Sequence, residues 1–173
     1  MQPVASHQFT QQLEALKVLI VDDEATMRKV TKSLLQVIGV KTIYEANDGR
    51  SGLEAICRWA PDVVILDWSM PSPNGPEFVR QVRAPGRFPY PDVAIIMLTA
   101  HGERSRVVEA VRLGVNEFLL KPVSSTALLA RLVSILAKPR EMVKKGDNYV
   151  PAPRKMSSYK PENDPVLDDV VFV

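Results

Sequence analysis

The chain has 173 residues, a net charge of +2 and 46% apolar residues. That suits one globular domain with an appendage and gives no global pull toward nucleic acid or a membrane. The single Cys57 cannot form an internal disulfide, the polar start from Met1 to Gln12 lacks the basic-then-apolar order of a signal peptide, and no apolar run approaches the ~20 residues of a membrane span, so a cytoplasmic protein is expected.

Residues 1–15 read as a loose leader in which a helix starts near Phe9 to Leu16. A strand is predicted at 17–21. Residues 25–38 place Met27, Val30, Leu34 and Ile38 at helical spacing, and Gly39 stops that helix. A strand at 41–46 leads to the turn Asn47-Asp48-Gly49, and a helix at 50–60 ends before Pro61. Cys57 shares a stripe there with Leu53, Ile56 and Ala60 and is expected in the core. The next strand ends at Asp67. Residues 70–75 form a loop, 76–83 a helix, and the proline-rich 84–92 another loop. A strand ends at Thr99, a helix covers 103–113, a strand ends at Lys121, and a last helix runs from about 124 to 137. Five short branched runs alternating with five helices predict an α/β fold, a doubly wound parallel sheet.

The last helix carries two apolar stripes, Leu128-Leu132-Ile135 and Leu129-Val133-Leu136. The second is either a wide buried stripe extended by the tail packing back, or a contact surface for another subunit or partner. After Lys138 the composition shifts. Residues 138–173 hold Pro139, Pro151, Pro153, Pro161 and Pro165, a basic stretch from Lys138 to Lys160, then only acids, then the tip Val170-Val171-Phe172-Val173. No second folded domain is expected, because too little apolar surface is present to bury. The tail is either disordered, or its β-prone tip adds a strand or docks in a groove.

Asp22-Asp23, Asp67, Thr99 and Lys121 each close an apolar run. Ligands of such sheets bind at the carboxyl ends of the strands, so three carboxylates, a hydroxyl and an ammonium are predicted to converge. Carboxylates of this kind hold Mg²⁺. Lys121 offsets their mutual repulsion and holds a phosphoryl oxygen, the Thr99 hydroxyl donates to another, and the small Ala100 leaves access. Asp67 is the candidate nucleophile for an aspartyl phosphate. Taken singly, Asp22 or Asp23 reads equally as a helix N-cap.

The motifs Val-Asp-Asp-Glu (21–24), Leu-Asp-Trp-Ser-Met-Pro (66–71), Leu-Thr-Ala (98–100) and Leu-Lys-Pro (120–122) resemble the signature of the receiver domain of bacterial response regulators. The stretch around Asp67 is similar to the single-domain chemotaxis regulators. The resemblance covers roughly 16–137 and implies a flavodoxin-like sheet of order 2-1-3-4-5. It implies that Asp67 accepts a phosphoryl group from a sensor histidine kinase or phosphotransfer protein. It further implies that Asp22, Asp23, Asp67 and the Ser69 backbone carbonyl hold Mg²⁺, and that Thr99 and Lys121 bind the phosphoryl group. The Lys121–Pro122 bond is expected cis. Phe118 stands at the position of a rotating aromatic switch working with Thr99. Ser69 and His101 stand at two positions that tune phosphoryl lifetime and depart from the chemotaxis pattern of Asn and Glu; by its surroundings alone, His101 is a solvent-facing loop residue.

The expected function is a stand-alone response regulator: a leader (1–15), a receiver (16–137) and a Pro-rich tail (138–173) without an output domain. It acts on a downstream protein target or as a homodimer through the last helix and tail, and binds neither DNA nor membrane. It is a phosphoacceptor rather than an enzyme. A phosphorylation-independent adaptor is opposed by the complete pocket. An aspartate-nucleophile phosphatase is opposed by Ser69, which stands where those enzymes carry a second Asp. Nucleic-acid binding by residues 138–160 would show strong salt dependence.

Overall fold

The computed structural model describes residues 4–100, 102 and 104–153. The elements in chain order are α1 (Val4–Ala15), β1 (Lys17–Val21), α2 (Ala25–Ile38), β2 (Thr42–Ala46), α3 (Gly49–Trp59), β3 (Val63–Asp67) and α4 (Gly75–Arg83). They continue with β4 (Ala94–Thr99), α5 (Arg104–Leu113), β5 (Glu117–Leu120), α6 (Ser125–Ala137), β6 (Met142–Lys145) and β7 (Asn148–Pro151). The first five strands form one sheet of order β2-β1-β3-β4-β5, every neighbouring pair parallel. The predicted elements are all present, with ends shifted by a residue or so. His101 and the tip Val170-Val173 lie outside the described residues.

Side chains alternate across a strand, and here the alternation divides the interior in two. Leu19, Val21, Val64, Leu66, Ile95 and Met97 pack toward Phe78, Val79 and Val82 of α4 and Ala110 and Leu113 of α5. Val18, Ile20, Val63, Ile65, Ile96 and Leu98 pack toward Leu35 of α2 and Leu128 and Leu132 of α6. Each fully buried aliphatic side chain contributes about 1.5–3 kcal/mol of transfer free energy. β3, buried along its whole length, is therefore the axis of the fold.

Local chemistry sets the helix limits. Gly39, at φ 109°, ends α2 with its N–H directed to the carbonyls of Leu35 and Gln36. Asp48 caps α3 by accepting from Ser51 N–H, and Asn74 and Glu77 form a capping box at α4. Ser124 accepts from Ala127 N–H at the start of α6.

Three features depart from expectation. The leader forms a full helix, α1, and Phe9, Leu13 and Leu16 join the α2–α6 side of the core. Cys57 is exposed, not buried. The buried stripe of α3 runs through Gly52, Ala55 and Ile56, and the residue after Ile56 is turned about 100° away from it. Part of the tail is ordered: β6 and β7 pair antiparallel from Met142↔Pro151 to Lys145↔Asn148, leaving the two-residue turn Gly146-Asp147. Gly146 has φ +62°, the left-handed value such turns need. The hairpin packs on α4 and α5. The second stripe of α6 is half-buried, with Leu129 and Leu136 packed against the same core as Leu132.

Arg83 ties the far end of the sheet together. It is fully buried, and its guanidinium donates to the carbonyls of Gly114 (2.9 Å), Pro91 (2.6 Å) and Val93 (2.7 Å) and to Asn116 Oδ1 (3.0 Å). The same Asn116 oxygen accepts Ile95 N–H. Burial pulls the Arg83 pKa down to about 9, with Asp92 opposing, which leaves the group charged at neutral pH.

Candidate functional site

The strand register brings the predicted residues to one edge. Val21 lies opposite both Ala46 and Leu66, Asp67 opposite Leu98, and Thr99 opposite Leu120. Asp22 and Lys121 are the residues that immediately follow β1 and β5. Lys121 N–H bonds the Thr99 carbonyl at 2.8 Å, fixing that backbone beside β4.

Asp22, Asp67 and Thr99 are buried, at 2%, 5% and 1% exposure, whereas Asp23 is exposed. One oxygen from each of Asp22, Asp23 and Asp67 lies within 4.8 Å of the others. Lys121 Nζ is 2.9 Å from Asp67 Oδ1 and 3.2 Å from Asp22 Oδ2. The other oxygen of Asp22 accepts Glu24 N–H at 2.8 Å, an Asx turn that leads into α2, whose own N-cap, Glu24, has no side-chain cap bond. The N-cap of α2 is thus Glu24, neither Asp22 nor Asp23, which corrects the cap reading of those two residues.

The electrostatics follow from this crowding. Burial, the largest influence, raises the Asp67 pKa above the ordinary carboxylate value; Lys121 pulls it down, and the charges of Asp22 and Asp23 push it up again. For Lys121, burial acts to lower the pKa, but the hydrogen bonds and charges of Asp67 and Asp22 together outweigh it and the net shift is upward. The donor set fits a small hard cation. Mg²⁺ takes carboxylate oxygens and keeps several waters, and the exposed Asp23 leaves one side of the cluster open to solvent.

The residues around the cluster are placed as follows. Ser69 and Ala100 are exposed directly beyond β3 and β4. Phe118 is half-buried on β5, opposite Met97, against the α3–α5 side of the core. The Lys121–Pro122 bond is cis, as the family resemblance implied, and Ser72–Pro73 is cis as well.

Sequence reasoning passed over two neighbours of the site. Gly75 opens α4, and a Cβ there would stand 2.7 Å from the Asp67 carbonyl oxygen and 2.9 Å from Trp68 Cα. Only glycine lets α4 approach the loop after the phosphoacceptor candidate this closely. The signal was the Asn74-Gly75 pair, which by itself reads as a plain turn. Trp68 is buried, its N–H bonds the Leu98 carbonyl, and the Arg106 guanidinium lies 5.6 Å from its ring centre. Arg106 is one of three arginines on α5, and nothing in the sequence singles it out for that contact.

Comparison with known proteins bears on the whole arrangement. The family model described as "Response regulator receiver domain" matches residues 18–133. The chemotaxis protein CheY-3 of Vibrio cholerae is 33% identical over 123 residues, 71% of this chain and 93% of that protein. The chemotaxis protein CheY1 of Helicobacter pylori is 37% identical over 122 residues, 70% and 97% of the two chains. Among solved structures, chemotaxis protein CheY4 of Vibrio cholerae aligns with a TM-score of 0.61 at 34% identity, covering 68% of this chain and 95% of that one. A putative response regulator from Chloroflexus aurantiacus aligns at 0.65 and 31%, covering 71% and 98%. With four motifs meeting at one sheet edge and 116 residues inside the family's bounds, the chain belongs to the response regulator receiver domain family, is CheY-like, and carries an extension beyond the domain's C-terminal end.

Proposed function

We propose that this protein is a response regulator that takes a phosphoryl group on Asp67 and passes the change on through protein contacts. The observation that carries the reading is the Asp22–Lys121–Asp67 cluster with Asp23 beside it, three carboxylates and one ammonium at the ligand-binding edge of the sheet. The donor is a phosphohistidine on a sensor kinase or phosphotransfer protein. The Asp67 carboxylate oxygen bonds to phosphorus as the phosphorus–nitrogen bond breaks. Burial raises its pKa and Lys121, beside it, favours the ionised form that attacks.

Asp22, Asp23, Asp67 and the Ser69 carbonyl would hold Mg²⁺, which when bound supplies charge neutralisation for the incoming phosphoryl oxygens. Lys121 exchanges its contact with Asp67 for a phosphoryl oxygen, as a point charge suits. Thr99 donates its hydroxyl to another, and Ala100 leaves the approach open. The phosphoryl group adds about −1.5 to −2 charge, which draws Thr99 inward. Phe118 then turns into the space vacated, and the α5–β5 face changes shape for a downstream target. Ser69 at the rim sets the phosphoryl lifetime together with His101.

Intact mass after incubation with acetyl phosphate, with and without Mg²⁺, tests the reading. One phosphoryl group is expected on the wild type with Mg²⁺ and none on Asp67→Asn. Equal uptake by that variant would sink it.

A further inference from the structure

The helix α5 is anchored at one end. Ala110 and Leu113, near its C-terminus, are buried; Val107 and Val108 are half-buried and Val111 is 63% exposed. The turn that follows, residues 114–116, is gripped from two sides. From the sheet side, Arg83 bonds the Gly114 carbonyl and the Asn116 side chain, and Asn116 Oδ1 also accepts Ile95 N–H. From the outside come the hairpin and the segment leading to it. The Arg140 guanidinium donates to the Asn116 carbonyl, and Ala152 N–H closes the hairpin onto the Glu141 carbonyl at 2.7 Å. Gly114 has φ +97°, and a Cβ there would run into the Tyr149 carbonyl and stand 3.3 Å from the Arg83 side chain. The glycine that ends α5 is therefore also the seat of β7.

We propose that the β6–β7 hairpin is an intramolecular strap that holds the pivot of α5 and restrains phosphoryl acceptance at Asp67. The inference rests on the functional reading above, in which the α5–β5 face moves when Asp67 is loaded. A helix of 10 residues spans about 15 Å, so α5 reaches from the strap to the carboxylate edge of the sheet. A restraint at its C-terminal pivot therefore acts on its N-terminal end. In the functional reading loading displaces the α5–β5 face, and a pivot gripped at Gly114 and Asn116 from both sides resists that displacement and holds the face in its unloaded state. The strap consequently favours that state. Coupling between two sites is reciprocal, so loading Asp67 loosens the hairpin and loosening the hairpin eases loading.

The test uses the full chain and two variants. Gly146→Val strains the hairpin turn at a position with nothing within 4 Å among the described residues, and Arg140→Ala removes the grip on Asn116. Acetyl phosphate with Mg²⁺ is the phosphoryl source, intact mass gives the loading rate, and amide exchange is followed over 141–152, with β1 and β3 as the check that the domain is folded. Both variants are expected to load at least about fivefold faster, a coupling at the modest end of the usual range. Exchange over 141–152 in the wild type is expected to rise on loading. Equal or slower loading by the variants, or hairpin exchange indifferent to loading, overturns the strap while leaving Asp67 as phosphoacceptor. No loading of any protein overturns both the functional reading and the strap that depends on it.

Discussion

The residues of the pocket are arranged at an energetic cost that thermal measurements can read. The folded-state pKa of Asp67 lies above its ordinary value, because of burial first and then the neighbouring carboxylates. A group whose pKa is raised by folding binds its proton more tightly in the folded state. Its stabilising contribution is present below the unfolded pKa and is lost as pH rises through the folded one. At neutral pH Asp67 therefore costs stability. Asp67→Asn is expected to raise Tm by a few degrees at pH 7 in metal-free buffer, with the gain shrinking toward about pH 4. A variant no more stable than the wild type at pH 7 would refute this. Asp23 offers a separate check: it is exposed and belongs to the carboxylate cluster without the ion pair that Lys121 gives Asp22 and Asp67. If the cluster holds Mg²⁺, millimolar Mg²⁺ raises the wild-type Tm by mass action. Asp23→Asn then flattens that rise while leaving the metal-free stability within about 0.5 kcal/mol of wild type. An Asp23→Asn protein that responds to Mg²⁺ like the wild type places the ion elsewhere. Asp22 was legible in sequence as both cap and ligand. The structure makes it no cap: one of its oxygens accepts the Glu24 N–H in a turn ahead of α2 and the other meets Lys121, and no spacing rule separates two oxygens of one side chain.

At the scale of elements, Arg83 is the joint between α4, the loop before β4 and the turn before β5. Replacing it with methionine keeps much of the volume but leaves the Gly114, Pro91 and Val93 carbonyls without their donor. Buried acceptors deprived of a partner are expensive, and a loss of about 3 kcal/mol is expected. For a chain of this size that is a Tm drop of about 6–12 °C. Arg83→Lys should recover only part, since an ammonium cannot match the planar fork. A methionine variant melting within about 2 °C of wild type would show that the network is incidental. The strands were readable because each is a short branched run at a fixed distance from the next, and a parallel sheet buries such runs on both faces. The hairpin was not. Met142–Lys145 and Asn148–Pro151 are four residues each, hold two lysines and a proline, and show no alternation. Only the Gly146-Asp147 pair carried a turn signal, and tertiary contact with α4 and α5 supplies the rest. Cys57 was misplaced for a related reason: i,i+4 spacing from Leu53 names a stripe but not its centre, and the centre lies on Gly52, Ala55 and Ile56.

At the scale of the whole molecule, two additions lie outside the residues matched by the family model, α1 before it and the hairpin after it. α1 and the residue after it deliver Leu13 and Leu16 to the core just ahead of β1, and Glu14 of α1 pairs with Lys41, just ahead of β2. The hairpin seats on the turn just ahead of β5. Both therefore dress the edge where the strands begin, and the carboxylates occupy the edge where they end. The molecule can consequently be handled like a tool with a grip and a working tip. A fluorophore, affinity tag or surface tether joined beside α1 sits at the grip, and the tip stays clear for whatever phosphate donor is offered.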